Sequence, residues 1–395
     1  MSRVRAGLHP TILLLAGAHV LVDGFGNIFA PLLPLLIPRL DLSLTEAGTL
    51  AMFFQLSTSM TQLGFGTLAD RWKPRVLLMA GPLVSVLVMS LVGLSTSFWV
   101  LALILIVGGL GGAAFHPPAA ALVHRFGGER RSYAMAFHIS SGAFGQAVAP
   151  LVFAPFAQRF GLRATALLMV PAMIGVALFL RRIPPIGRLH DEGDARGFRA
   201  LRPYRKPLAL LYSIVVLRTL TSLAFSTFIS VLMTRQGMSV AAAGTAVAIY
   251  YFASSAGGFI GGPLADQWGA RRVIIVSLLA AVPFLLAAPL TTGWTFVALV
   301  GIGGFVLQAS LPVAVTFGQT VAPISAATVS SLMMGFAWGT GGLMVPLVGY
   351  LADRIGIERM MLTMALVPVA TVLLALPLPQ VRKLLATPQL DKTED

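Results

Sequence analysis

His19, Asp23 and Asn27 stand four residues apart in the stretch HVLVDGFGN. On a helix that spacing stacks them on one face. A carboxylate with an imidazole one turn away can take up and release a proton, and Asn27 on the same face is expected to contact a substrate. A base complements them. Arg218, in VVLRTLTSLAFSTFI, shares a helical face with Ser222 and Ser226. A guanidinium can grip a phosphonate or carboxylate through two parallel N–H bonds. His116 in AAFHPPAAALV, and His138 and Gln146 in AFHISSGAFGQAVAP, add further polar groups for contact with a ligand. Two histidines with no acid close by in sequence make a poor metal site, so no metal is expected.

These residues lie in surroundings that make them costly. The chain has 395 residues, 57% hydrophobic and only 11% charged, against about 25% charged in a soluble domain. A helix needs about 20 apolar residues to cross the hydrocarbon core. Twelve such segments are expected, at 11–37, 44–68, 75–96, 98–123, 131–157, 162–181, 207–233, 241–265, 271–290, 293–320, 326–350 and 358–378. Backbone groups in lipid must be satisfied internally, which makes them helices. The first segment reads as a span and not as a cleavable signal.

The formal charge of +14 follows from topology. With the N-terminus in the cytoplasm, most Lys and Arg fall on the cytoplasmic side, as the positive-inside rule requires. The basic excess therefore faces anionic lipid, and no nucleic-acid partner is expected. There is no cysteine, so no thiolate chemistry is available. No nucleotide-binding loop or nucleophile constellation points to an enzyme or a cofactor.

The chain repeats itself. LADRWKPRVLL from Leu68 matches LADQWGARRVII from Leu264, SFWVLA from Ser97 matches TGWTFV from Thr292, and APFAQRFGLRATALLM from Ala154 matches GYLADRIGIERMMLTM from Gly349. HPP from His116 lines up with LPV from Leu311, and every offset is 195 or 196 residues. A constant offset marks duplication. The organisation expected is a six-helix bundle at 1–182, a cytoplasmic linker at 183–206 and a second six-helix bundle at 207–395, related by an axis along the membrane normal. The same offset carries Asp23 onto Arg218. By helical rise Asp23 lies about 20 Å and Arg218 about 16 Å into its segment from the same side. Intramembrane ionisable residues are expensive and functional by default. Asp23 with His19 is the expected proton-coupling pair, Arg218 the anion clamp, and a static Asp23–Arg218 ion pair is the alternative.

GTLADRWKPR, Gly66 to Arg75, resembles the loop signature of the major facilitator superfamily, and GGPLADQWGARR, Gly261 to Arg272, repeats it in the second half. The resemblance implies the twelve-helix fold of two pseudo-symmetric bundles. It also implies a gate built by Gly66, Asp70, Arg71, Arg75, Gly262, Asp266 and Arg271; a loop that only fixes topology is the alternative. GGLGGAAFHPPAAALV, HVLVDGFGN, VLRTLTSLAFSTFI and the run from Thr316 to Gly356 are similar to the fosmidomycin-resistance branch of that superfamily. This implies proton-coupled export of a small anionic or amphipathic drug-like compound by a monomer in a bacterial-type inner membrane, with both termini cytoplasmic. Pro118 stands where the branch has an acid, which removes any role of that group. A proton-linked importer of a small organic anion, or a non-transporting receptor, are the rival readings.

Overall fold

The computed structural model describes residues 8–71, 74–184, 198–322 and 326–379, and every regular element among them is helical. Among the described residues, eleven helical segments are long and apolar enough to cross a membrane. Span 1 is Pro10–Leu40, span 3 Pro74–Leu94, span 4 Phe98–Gly127, span 5 Tyr133–Phe160 and span 6 Leu162–Arg182. Span 7 is Leu201–Arg235, span 8 Val240–Trp268, span 9 Ala270–Leu290, span 10 Gly293–Val321, span 11 Thr328–Ile355 and span 12 Ile357–Ala375. The twelfth expected crossing is the helix pair Leu44–Ser59 and Thr61–Arg71, here span 2, broken at Met60. Its Gln55, Ser57, Thr58, Ser59, Thr61 and Gln62 make it the most polar of the set. Residues 185–197 of the expected linker lie outside the described residues.

Packing repeats between the halves. Span 4 packs on spans 2 and 3, and span 1 on spans 5 and 6; likewise span 10 packs on spans 8 and 9, and span 7 on spans 11 and 12. Small residues permit the approach. At Gly145 an added Cβ would lie 2.3 Å from the Val20 carbonyl of span 1. Lipid offers no hydrophobic drive between helices, so close contact of this kind is what binds them.

Span 1 is not continuous. It runs as a helix over Pro10–Gly26 and resumes over Phe29–Leu40. Proline lacks an N–H, so Pro31 leaves the Asn27 carbonyl without its usual i+4 donor. Asn27 closes the break: its backbone N–H bonds to the Gly24 carbonyl, and its side-chain amide donates to the Asp23 carbonyl at 2.8 Å. Span 11 carries a π-helical turn at Ser331–Phe336, at the start of its glycine-rich run.

The halves meet along spans 2 and 11 and along spans 5 and 8, on the side away from the N-terminus. Backbone lies on backbone there. A Cβ on Gly349 would come 2.1 Å from the Leu44 carbonyl, one on Gly48 2.6 Å from the Val345 carbonyl, and one on Gly244 2.8 Å from the Pro150 carbonyl. The Ser230 hydroxyl donates to the Ala30 carbonyl at 2.5 Å.

Two helix N-termini on this side are capped from the opposite half. The first N–H groups of a helix have no partner within it. In span 2, Ser43 and Glu46 form a capping box that serves the Glu46 N–H. Asp353 of span 11 takes the rest, accepting from the Leu44 N–H at 3.0 Å, the Thr45 N–H at 2.8 Å and the Thr45 hydroxyl at 2.6 Å. In span 8, Ser239 serves the Ala242 N–H at 3.2 Å, and Gln158 of span 5 accepts from the Ala241 N–H at 2.8 Å. Gln158 and Asp353 are equivalent under the 195-residue repeat. Losing a cap costs about 1 kcal/mol, roughly a fivefold change in an equilibrium. Asp353→Ala is therefore expected to broaden the distance distribution between spin labels placed on spans 2 and 11 at this seam. An unaltered distribution would show that the cap adds nothing to closure.

Candidate functional site

Span 1 is started by Pro10, with the His9 ring accepting from the Thr11 N–H at 3.2 Å. The helix then stacks His19 under Asp23, as the spacing requires. Asp23 has become the centre of a cluster drawn from three spans. Its Oδ2 lies 3.3 Å from His19 Nε2, its Oδ1 lies 3.4 Å from His116 Nε2 of span 4, and Oδ2 accepts from the Gln146 amide of span 5 at 3.1 Å. Sequence left His116 without an acid; the fold supplies Asp23. The side chain of His19 is 9% exposed, that of Asp23 15% and that of His116 25%, so the cluster is buried on the His19 side and opens toward His116.

The His138 backbone carbonyl lies 2.8 Å from His19 Nδ1. A carbonyl only accepts, so Nδ1 carries the hydrogen. The remaining nitrogen of a neutral His19 then presents a lone pair to a carboxylate. The geometry calls for a proton or another cation between them. The His138 ring itself is buried, with Nδ1 unpartnered, and its centroid lies 4.3 Å from that of the His19 ring, tilted by 33°. His19 thus sits between His138 and His116, whose ring is 5.1 Å away. Gly142 is required here: a Cβ would lie 2.4 Å from His19 Nε2 and 2.6 Å from Asp23 Oδ2. Asn27 meets Asp23 through the backbone carbonyl only.

Arg218 is 2% exposed at the heart of the second half. It forms no ion pair with Asp23 or with any other acid among the described residues. Its Nη2 donates to Gln308 Oε1 of span 10, and its Nε has no partner. Nearby on the same helix, Ser222 Oγ lies 3.1 Å from the hydroxyl of buried Tyr250 in span 8. Ser226 donates to the Leu223 carbonyl of its own helix at 3.3 Å. The static Asp23–Arg218 pair is thereby absent, and a buried cation is left with one neutral partner.

The loop residues divide. Gly66 leaves room toward Pro117, 3.9 Å from where a Cβ would stand. The side chains of Asp70 and Arg71 and all of residues 72–73 lie outside the described residues. Arg75 Nε is buried without a partner, Gly262 faces open space, Asp266 is exposed, and Arg271 donates to the Leu376 carbonyl of its own half. Gly269, at φ +86°, makes the left-handed turn in the second loop, where the first has Lys73. The residues that sequence reasoning missed are Asp353 and Gln158. Their signal was the repeat itself, since LADRIG echoes the loop signature.

The architecture has known counterparts. A bacterial homologue of the human lysosomal transporter Spinster, solved in an inward-facing and unoccupied conformation, superposes with a TM-score of 0.78 over 93% of this chain and 97% of that one, at 18% identity. At that identity the likeness speaks for the fold alone. The fosmidomycin resistance protein of Escherichia coli K12 is 27% identical over 359 residues, 89% of this chain and 88% of its own. The MFS-type transporter YfnC of Bacillus subtilis 168 is 26% identical over 392 residues, 95% of this chain and 94% of its own. These are membrane transporters and not enzymes, and the Major Facilitator Superfamily profile matches residues 15–316. Duplicated six-span packing, paired loop signatures and that profile agree: the chain belongs to the Major Facilitator Superfamily.

Proposed function

We propose that the chain is a proton-coupled exporter of a small anionic or amphipathic compound, working by alternating access in a bacterial plasma membrane with both termini inside. The observation that carries this reading is the separation of the two deep charges. Asp23 is held with two imidazoles in one half, while Arg218 in the other half has no acid beside it among the described residues. An unpaired buried cation is costly, and an anionic ligand entering between the halves is the partner that would satisfy it. Asp23 with His19 and His116 then carries the proton. Gln146 and Asn27 fix Asp23, and His138 orients His19 through its carbonyl. Arg218 with Gln308 and Ser222 holds the anion, and Ser226 extends the polar track.

With the N-terminus inside, the closed seam is the outer one. Asp70 and Asp266 then belong to the face that closes in the other half of the cycle. The relative's name makes fosmidomycin the first probe. The test is purified protein in proteoliposomes with an imposed pH gradient and a panel of labelled anions, fosmidomycin included. Export requires accumulation of an anion against its own gradient, in exchange for protons and in the direction opposite to proton flow. Flux of an anion in the same direction as protons would establish the importer instead, and binding without flux would establish a receptor.

A further inference from the structure

We infer that His19, Asp23 and His116 form a three-ligand site for a divalent transition-metal ion of the zinc class. The donor set is the first argument. Two imidazoles and one carboxylate with a fourth position open is a zinc-type combination, whereas magnesium and calcium take oxygen ligands. The spacing is the second. Charge-assisted hydrogen bonds run at about 2.7–2.9 Å, and both imidazole–carboxylate contacts here are longer, 3.3 Å from His19 Nε2 to Oδ2 and 3.4 Å from His116 Nε2 to the other oxygen, Oδ1. Bonds of about 2.0–2.1 Å to a tetrahedral ion place neighbouring donors about 3.3–3.4 Å apart. All three donor atoms lie within 4.8 Å of one another, so a modest swing of the more exposed His116 completes the set.

The third argument is orientation. A metal-ligating histidine donates its other N–H to a carbonyl or carboxylate. His19 Nδ1 faces the His138 carbonyl at 2.8 Å, and this turns the Nε2 lone pair toward Asp23. Gln146, on Asp23 Oδ2 at 3.1 Å, steadies the carboxylate in the same way. Room beside the donors exists because residue 142 has no side chain. A metal ion needs the same donor atoms as the protons, so zinc and the coupling protons compete for one site. The inference concerns binding alone and stands apart from the direction of transport and from the nature of the anion.

The experiment uses full-length detergent-purified protein with its affinity tag removed. Zn²⁺ binding is followed by calorimetry, and Co²⁺ by its visible absorption, in wild type, His116→Ala, Asp23→Asn and a His124→Ala control. Loss of outer-shell support alone costs about 10- to 100-fold in metal affinity, so loss of a ligand should cost at least that. The expected result is one ion per chain and a tetrahedral Co²⁺ spectrum. His116→Ala and Asp23→Asn should each weaken binding by at least about tenfold, while the control and excess Mg²⁺ change nothing. Should a variant unfold, the rise in melting temperature that Zn²⁺ gives wild type provides a second readout; no rise at millimolar Zn²⁺ would overturn the site. Equal affinity in wild type and His116→Ala, or an octahedral spectrum set by oxygen ligands, would also overturn it. Failure of these measurements leaves anion flux in proteoliposomes untouched, so the two readings fail separately.

Discussion

Arg218→Ala is expected to lower the affinity for an anionic substrate by about a hundredfold or more, and Arg218→Lys by at least about tenfold. A hydrogen bond to a charged group contributes about 1.5–3 kcal/mol, and about 1.4 kcal/mol is a factor of ten. Removing a two-pronged grip therefore costs about two powers of ten or more. Lysine keeps the charge as a point and loses the planar fork. The guanidinium is held by Gln308 with Nε left over, so an anion meets a donor already in place. Fosmidomycin binding to purified protein would be titrated for wild type and both variants, with melting temperatures as a folding check. Wild-type affinity in a well-folded Arg218→Lys would mean that the guanidinium serves the fold and not the ligand.

Asp23→Asn is expected to abolish transport driven by a pH gradient while sparing counterflow, the exchange of labelled for unlabelled substrate. The variant keeps the shape and can still accept from Gln146, but it can no longer alternate between charged and neutral forms. Gradient-driven flux should fall to background, a loss of at least about a hundredfold, whereas exchange needs no net proton movement. His116→Gln should give an intermediate defect, because His19 still faces the carboxylate. Gradient-driven flux in Asp23→Asn equal to wild type would remove Asp23 from the coupling step.

The number of spans, the duplication and the pairing of His19 with Asp23 were legible because hydropathy, fixed offsets and i,i+4 stacking are local properties. The meeting of His116 and Gln146 with Asp23 was not. A helix apolar on all sides carries little amphipathic signal, so its rotation about its axis cannot be read, and contacts across 93 or 123 residues depend on that rotation. The repeat put Asp23 and Arg218 at equivalent positions and similar depth, which raised an ion pair as the alternative; depth is a one-dimensional quantity, and the helices face other neighbours. The break at Asn27 was written in Pro31, but its effect on Asn27 became visible only with the backbone. Span 2 shows a different limit. Its polar run weakens it as a lipid-facing helix, and those same side chains fit a helix that packs against spans 4 and 11.

A transporter driven by an ion gradient, as proposed for this chain, must also be an insulator between turnovers. The seam of carbonyl against glycine at Gly48, Gly244 and Gly349, on the side away from the N-terminus, bears on that duty. Water conducts protons as a continuous single file, and such a file needs a channel about one molecule wide. Where main chain lies this close to main chain, little room is left for such a file. Two helix ends that would otherwise bind water are occupied by Asp353 and Gln158. Bulk added at one of these glycines acts as a wedge, and its signature is electrical: a proton conductance that persists with no substrate present.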